Sequence, residues 1–248
     1  MMFLTTAFAL SLLGLFVNAN PIGHHTASGI TAIEDHFKRA GIVPDLLPSF
    51  NPSAVMTVSF PDVGHISPGQ KLSLPHVATA PNVTITPANP SVPTTGNFTL
   101  MMVDARARGT NESNGQVLHW LANSATLQHI SSHRPSLNVS TGGGLVVTDY
   151  SPPMPPVGTG VHRYVILLFP QPPTFSPPAN ETTPNVGKQL VFHTTDYIAT
   201  SKLGYPIAGM FFEVQAPANG TVSVTSAVAT SALTPSVSSS PTVSDSAS

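Results

Sequence analysis

Between the glycine turn Gly158-Thr159-Gly160 and Pro170 lies Val161 to Phe169 (VHRYVILLF), the longest strand-like run in the chain, and its later residues are apolar on both faces. A strand apolar on both sides belongs in the middle of a sheet covered from above and below. The remainder of the chain must therefore supply neighbours and covering layers. It has suitable segments. Ala54, Met56, Val58 and Phe60 alternate with Val55, Thr57 and Ser59, the period of a half-buried strand. Pro81 to Pro87 repeats the pattern, with Val83 and Ile85 set against Thr84 and Thr86. Phe98 to Val103 is apolar apart from Thr99 and reads as a second central strand, and Ala208 to Val214 as another.

Composition agrees with a mainly β fold. Only 8% of the 248 residues are charged, while Pro numbers 26 and Gly 18, which disfavours long solvated helices and favours strands joined by turns. Two short helices are expected. Thr31 to Ala40 has Glu34 and Asp35 early, Lys38 and Arg39 late, and Gly41 as a stop. Asp196 to Leu203 is ended by Gly204, with Pro206 beyond. Ser151 to Pro156 holds four prolines and Pro170 to Pro184 six, so both read as loops.

The two ends differ from the middle. Phe3 to Val17 is an almost unbroken apolar run followed by Val17-Asn18-Ala19, which reads as a signal peptide, residues 1–19, cleaved after Ala19. Residues 20–30 read as a loose segment, and a folded domain is expected over 31–216. Of residues 217–248, 15 are Ser or Thr and Asp245 alone is charged, so this tail is expected to be disordered and O-glycosylated. It offers no hydrophobic run for a glycolipid anchor. Sequons stand at Asn82, Asn97, Asn111, Asn138, Asn180 and Asn219. These features predict secretion, with wall association as a further expectation and no transmembrane segment.

Several functions are disfavoured. Nine Lys+Arg against eleven Asp+Glu form no basic stripe for nucleic acid. There is no cysteine, hence no disulfide, thiol nucleophile or thiolate zinc site. No G-x-S-x-G elbow and no H-E-x-x-H occurs, and no third glycine completes a dinucleotide loop after Gly158 and Gly160. His129 and His133 are four apart, but SATLQHISSHRP reads as a loop carrying two solvated histidines. No enzyme, cofactor or metal is expected. The polar residues with chemical potential sit in or beside apolar strands. His162 and Tyr164, two apart, share a strand face; His119 adjoins Trp120 in VLHWL; Asp104 ends FTLMMVD. Taken singly, each also reads as a satisfied core or turn residue.

LMMVDARA, VLHWL, TDYSPPMPPVGTGVHRYVILLFPQ and LGYPIAGMFFEVQ, in that order, resemble the phosphatidylethanolamine-binding (Raf kinase inhibitor-like) family, in its secreted fungal-type form. The most specific stretch is Pro155-Pro156-x-Gly-Thr-Gly-x-His162-Arg163-Tyr164, and with SFPDVGHISPGQKL the likeness spans about residues 31 to 215. The resemblance implies a large antiparallel sheet packed on a smaller one, with a few short peripheral helices. It also implies a non-catalytic pocket for phosphate or a phospholipid head group, formed by Asp104, His119, Pro155, Pro156, His162 and Tyr164. Two departures stand out. The family's usual Asp-Pro-Asp-x-Pro is Asp104-Ala105-Arg106-Ala107-Arg108 here, and Met154 replaces a common glycine. The Ser/Thr tail stands where some members carry a pocket-gating helix. The expected mechanism has His119 and the Gly158–Gly160 N–H groups donating to the anion, Tyr164 and the prolines walling the site, and Asp104 orienting a histidine. Alternatives are inhibition of a secreted serine carboxypeptidase or other protease, a matrix role carried by the tail, and a hydrolase using Asp104, His119 and His162.

Overall fold

The computed structural model describes residues 21–131, 135–184 and 189–218. The expected signal peptide, His133, Asn219 and nearly all of the Ser/Thr tail lie outside the described residues. The chain opens with helix α1 (Pro21–Arg39) and one turn, α2 (Ile42–Asp45). Strands β1 (Ala54–Phe60), β2 (Gly64–His65), β3 (Gln70–Leu72), β4 (Asn82–Pro87) and β5 (Phe98–Ala107) follow. Next come β6 (Gln116–His129), β7 (Leu137–Ser140), β8 (Leu145–Thr148) and β9 (Val161–Pro170). The last elements are β10 (Gln189–Phe192), α3 (Thr194–Thr200) and β11 (Ala208–Gln215).

The strands form one curled sheet in the order β2-β1-β4-β7-β6-β5-β9-β11-β3, with β8 and β10 also paired to β6. Every pair is antiparallel except β11 with β3 at the edge. The expected large and small sheets are therefore present, and β6 belongs to both. Its first part, Val117 to Ala125, pairs with β5, and Thr126 to His129 pairs with β7. Ser124, at φ 60°, sits where the strand turns from one layer to the other. This corrects the reading of Ser124–His129 as loop. The segment is too polar to announce itself, and its strand form comes from having a partner in each layer.

β9 lies between β5 and β11, and His162 to Phe169 are all buried, as its double-sided apolar pattern requires. Consecutive residues of β11 show how both faces are covered. Phe211 meets Phe37 of α1 edge-on at 5.5 Å, while Phe212 meets Phe60 of β1 edge-on at 5.3 Å and stacks on Tyr164 at 5.5 Å. Each such ring, fully withdrawn from water, contributes about 2–3 kcal/mol relative to exposure.

The N-terminal boundary also differs from expectation. Residues 21–30 are helical rather than loose, and α1 begins ten residues before Thr31. Tertiary packing is the reason. Thr26, Ile33 and Phe37 are buried along one stripe, and Phe37 stacks on Phe50 at 4.0 Å. Gly29 admits β1 closely, since a Cβ there would stand 2.9 Å from a Val55 methyl. Helix α3 ends differently as well. Lys202 takes the left-handed conformation at φ 59°, with Leu203 N–H donating to the Ile198 carbonyl at 3.1 Å, so the turn closes before Gly204 is reached.

Candidate functional site

β5 and β9 run in register down to Asp104 opposite Tyr164, then slip so that Ala107 faces His162. The slip is a bulge centred on Arg106, whose φ of 52° is rare for a branched or long side chain. Two interactions hold it. The Arg106 N–H donates to Asp104 Oδ1 at 2.7 Å. From β9, Arg163 donates to the Ala105 carbonyl at 2.7 Å and the Arg106 carbonyl at 3.1 Å. Arg163 is 2% exposed and also reaches the Ala40 carbonyl at 2.8 Å and Asp45 Oδ2 at 3.2 Å. Because 163 lies between 162 and 164, it points to the other face of the strand. One strand thus supplies site residues on one side and the brace for their bulge on the other.

His162 is fully engaged. Its Nδ1 lies 2.8 Å from Asp104 Oδ2 and 3.1 Å from Oδ1, and its Nε2 lies 2.7 Å from the Thr159 hydroxyl. That hydroxyl also lies 2.7 Å from the Pro156 carbonyl. One proton cannot serve both, so either Thr159 donates to Pro156 and His162 is a doubly protonated ring against a carboxylate, or Thr159 donates to Nε2 and the ring is neutral. In both cases Asp104 orients His162 rather than His119.

His119 is held by a reciprocal pair. Its Nδ1–H donates to the Ser151 carbonyl at 2.7 Å, while the Ser151 N–H donates to the His119 carbonyl at 2.7 Å. A carbonyl only accepts, so Nδ1 carries a proton and Nε2 of the neutral ring bears a lone pair. The same pair ties the proline segment to β6. Behind His119 stands Tyr164, edge-on at 5.2 Å and wholly buried. Its hydroxyl has no hydrogen-bond partner within bonding geometry, and its pKa is pushed far up by burial first and by the Asp104 carboxylate second.

These groups surround a cavity of about 420 Å³ lined by Asp104, Arg106, Thr110, Val117, His119, Met154, Pro156, Thr159, His162 and Leu190. Of the six residues expected, Asp104, His119, Pro156 and His162 line it. Tyr164 and Pro155 are buried and do not. Tyr164 backs His119, and the zigzag of Met154-Pro155-Pro156 turns its middle residue into the protein. Nor is the whole Gly158–Gly160 turn available as donor, since the Thr159 N–H donates to the Pro156 carbonyl at 3.3 Å. Gly158 and Gly160 have φ of 84° and 89°, which explains the two glycines as turn residues. Reading the sequence missed Thr110 and Leu190, which come from a loop and from an unexpected strand, β10. Thr159 stood inside the quoted motif and Arg106 among its departures.

Among the described residues no three His, Asp or Glu side chains are grouped to hold a metal. His162 would have to give up Asp104 or Thr159 to become a ligand. Asn82, Asn97, Asn111 and Asn180 are exposed, and Asn138 is half-buried in β7. No described helix is long and apolar enough to cross a membrane.

Residues 57–212 match the family model described as phosphatidylethanolamine-binding protein. The chain belongs to the phosphatidylethanolamine-binding protein family. A 26 kDa secreted antigen of Toxocara canis is 33% identical over 182 residues, covering 73% of this chain and 63% of that protein, so the match spans less than two thirds of the relative. A carboxypeptidase Y inhibitor of Saccharomyces cerevisiae is 28% identical over 159 residues, covering 56% of this chain and 73% of that one. A carboxypeptidase Y inhibitor crystallised with its cognate proteinase shares the fold, with a TM-score of 0.61 and 22% identity over 77% of this chain and 97% of that one.

Proposed function

We propose that this family member is an exported, non-catalytic binding protein whose cavity takes a small anion, phosphate or a phosphate-bearing head group. The observation that carries this reading is the charge arrangement of the cavity. Asp104, the carboxylate that lines it among the described residues, is engaged by His162 at 2.8 Å, and the basic side chains Arg106 and His119 line the same cavity. Thr159, His162 and Asp104 stand in series as hydroxyl, imidazole and carboxylate, but the Pro156 carbonyl, also 2.7 Å from that hydroxyl, competes for its proton and disfavours a nucleophile. Export is supported by the apolar leader, and the exposed sequons Asn82, Asn97, Asn111 and Asn180 are candidates for glycans.

His119 makes the binding dependent on pH. With Nδ1–H committed to Ser151, Nε2 becomes a donor to an anion only when the ring is protonated. Falling pH therefore strengthens binding. Calorimetric titration with inorganic phosphate is expected to show affinity rising between about pH 7.5 and pH 5.5 although the phosphate itself loses charge, and His119→Ala to abolish the rise, leaving only the weakening that protonation of phosphate causes. Absence of binding at either pH by folded protein would refute the pocket.

A second reading, inhibition of a serine carboxypeptidase or another protease, is favoured by the relative named as a carboxypeptidase Y inhibitor. Inhibition of carboxypeptidase Y by the purified protein, retained in a His119→Ala, His162→Ala variant, would place that activity on a surface away from the cavity.

A further inference from the structure

The cavity's lining divides sharply by chemistry. Arg106 is half-buried within it, permanently charged, and makes no ion pair among the described residues. Among the described residues no carboxylate other than Asp104 lines the cavity, and Asp104 is held by His162 and by the Arg106 N–H at 2.7 Å. The rest of the lining is largely apolar: Val117, Met154, Pro156 and Leu190. Met154 is 69% exposed and Leu190 64%, so two large apolar side chains stand at the mouth with their surfaces still in water.

We infer that the site selects phosphate monoesters carrying an apolar substituent and discriminates against those carrying an ammonium group, with Arg106 as the determinant. This rests on the anion-pocket reading and goes on to say which anion. A monoester carries nearly two negative charges near neutral pH, which suits a guanidinium. An ammonium group on the same ligand finds no available carboxylate among the described residues and is repelled by Arg106, whereas an alkyl group covers Met154 and Leu190. Discrimination here works by repulsion as much as by attraction. One cation placed several ångströms from another at a half-exposed site weakens binding about tenfold, and each methylene withdrawn from water strengthens it up to about fourfold.

The test is calorimetry at pH 7.5 on the full chain with three probes: inorganic phosphate, phosphoethanolamine and propyl phosphate, the last two being of similar size. Propyl phosphate is expected to bind about tenfold more tightly than phosphoethanolamine. Arg106→Asp should reverse that order, and Arg106→Asn should narrow the gap to the few-fold that apolar contact supplies. Both substitutions suit the backbone, because Asp and Asn tolerate positive φ better than other non-glycine residues and the main-chain bonds of residue 106 are kept. Flotation with vesicles of phosphatidic acid in phosphatidylcholine tells the two sources of such a group apart. Flotation identifies a lipid head group, and propyl phosphate binding without flotation identifies a soluble monoester; either supports the selectivity. Equal binding of the two organic probes, tighter phosphoethanolamine, or a gap unchanged in Arg106→Asp overturns the selectivity while leaving the anion pocket standing. Failure of all three probes to bind removes both.

Discussion

Replacing Arg163 with methionine keeps an unbranched side chain in the core and removes every donor. The wild-type guanidinium is 2% exposed and serves three main-chain carbonyls, those of Ala105, Arg106 and Ala40. The Ala105 carbonyl is bonded in a fully buried setting and bears the whole desolvation penalty once orphaned, about 1–3 kcal/mol. The Arg106 and Ala40 carbonyls are half-buried, so water recovers part of their loss. Asp45, whose side chain is 29% exposed, is partly rehydrated and adds little. The expected cost is about 3–4 kcal/mol, out of a typical total of about 5–15 kcal/mol. Urea unfolding followed by the fluorescence of Trp120, the only tryptophan, measures it directly. Phosphate affinity should fall as well, because the bulge that presents Asp104 and Arg106 loses its brace. Arg163→Lys should recover less than half the stability, since a single ammonium cannot span carbonyls on two elements. A loss below about 1 kcal/mol in Arg163→Met, or full rescue by lysine, would refute the reasoning: in the first case the bonds are dispensable, in the second only the charge matters.

Four further outcomes follow from the same geometry. Gly144→Ala forces a Cβ against the carbonyl oxygens of Ser124 and Asn123 and should cost about 1–3 kcal/mol in urea unfolding. Tyr197→Phe removes the 3.0 Å bond from its hydroxyl to Asn123 Oδ1 and should cost about 1 kcal/mol by the same measurement. Burial, partly offset by the Asn123 bond, raises the Tyr197 pKa from 10.0 to about 12. The unfolded chain then loses this proton first, so stability is whole below about pH 10 and declines toward about pH 12; thermal unfolding across that range should show a shallower decline in Tyr197→Phe. Asp104→Asn keeps an acceptor for His162 but removes a negative charge from the cavity wall. It should therefore lower stability by about 1–2 kcal/mol while tightening phosphate binding, and changes of the same sign in unfolding and calorimetry would contradict it.

Legibility in the sequence tracked how local the cause was. β1 was read with its boundaries, and β4, β5, β9 and β11 to within a few residues, because alternation or an unbroken apolar run is written into consecutive positions. The first half of α1 was not legible. PIGHHTASG contains poor helix formers, and the helix there depends on the burial of Thr26 and the close approach of Gly29 to Val55. The outer half of β6 was hidden for a similar reason: polar Thr126 and Gln128 become strand only where β7 offers a partner.

For the site, the chain order of motifs was enough to bring Asp104, His119, Pro156 and His162 to one cavity, since each is tied to a strand or turn whose pattern is local. Their division of labour was not. That Asp104 holds His162, that Ser151 sets the protonated nitrogen of His119, and that Tyr164 backs the site depend on distances between strands far apart in sequence. Arg106 illustrates the difference most clearly. As a letter it marked a departure from the family's motif. Its placement on the cavity wall follows from a bulge braced by Arg163, a residue 57 positions away that reaches the bulge only because β5 and β9 pair. Periodicity determines which segments become strands and which faces they bury; pairing register and long-range hydrogen bonds decide which side chains meet and what each is left able to bind.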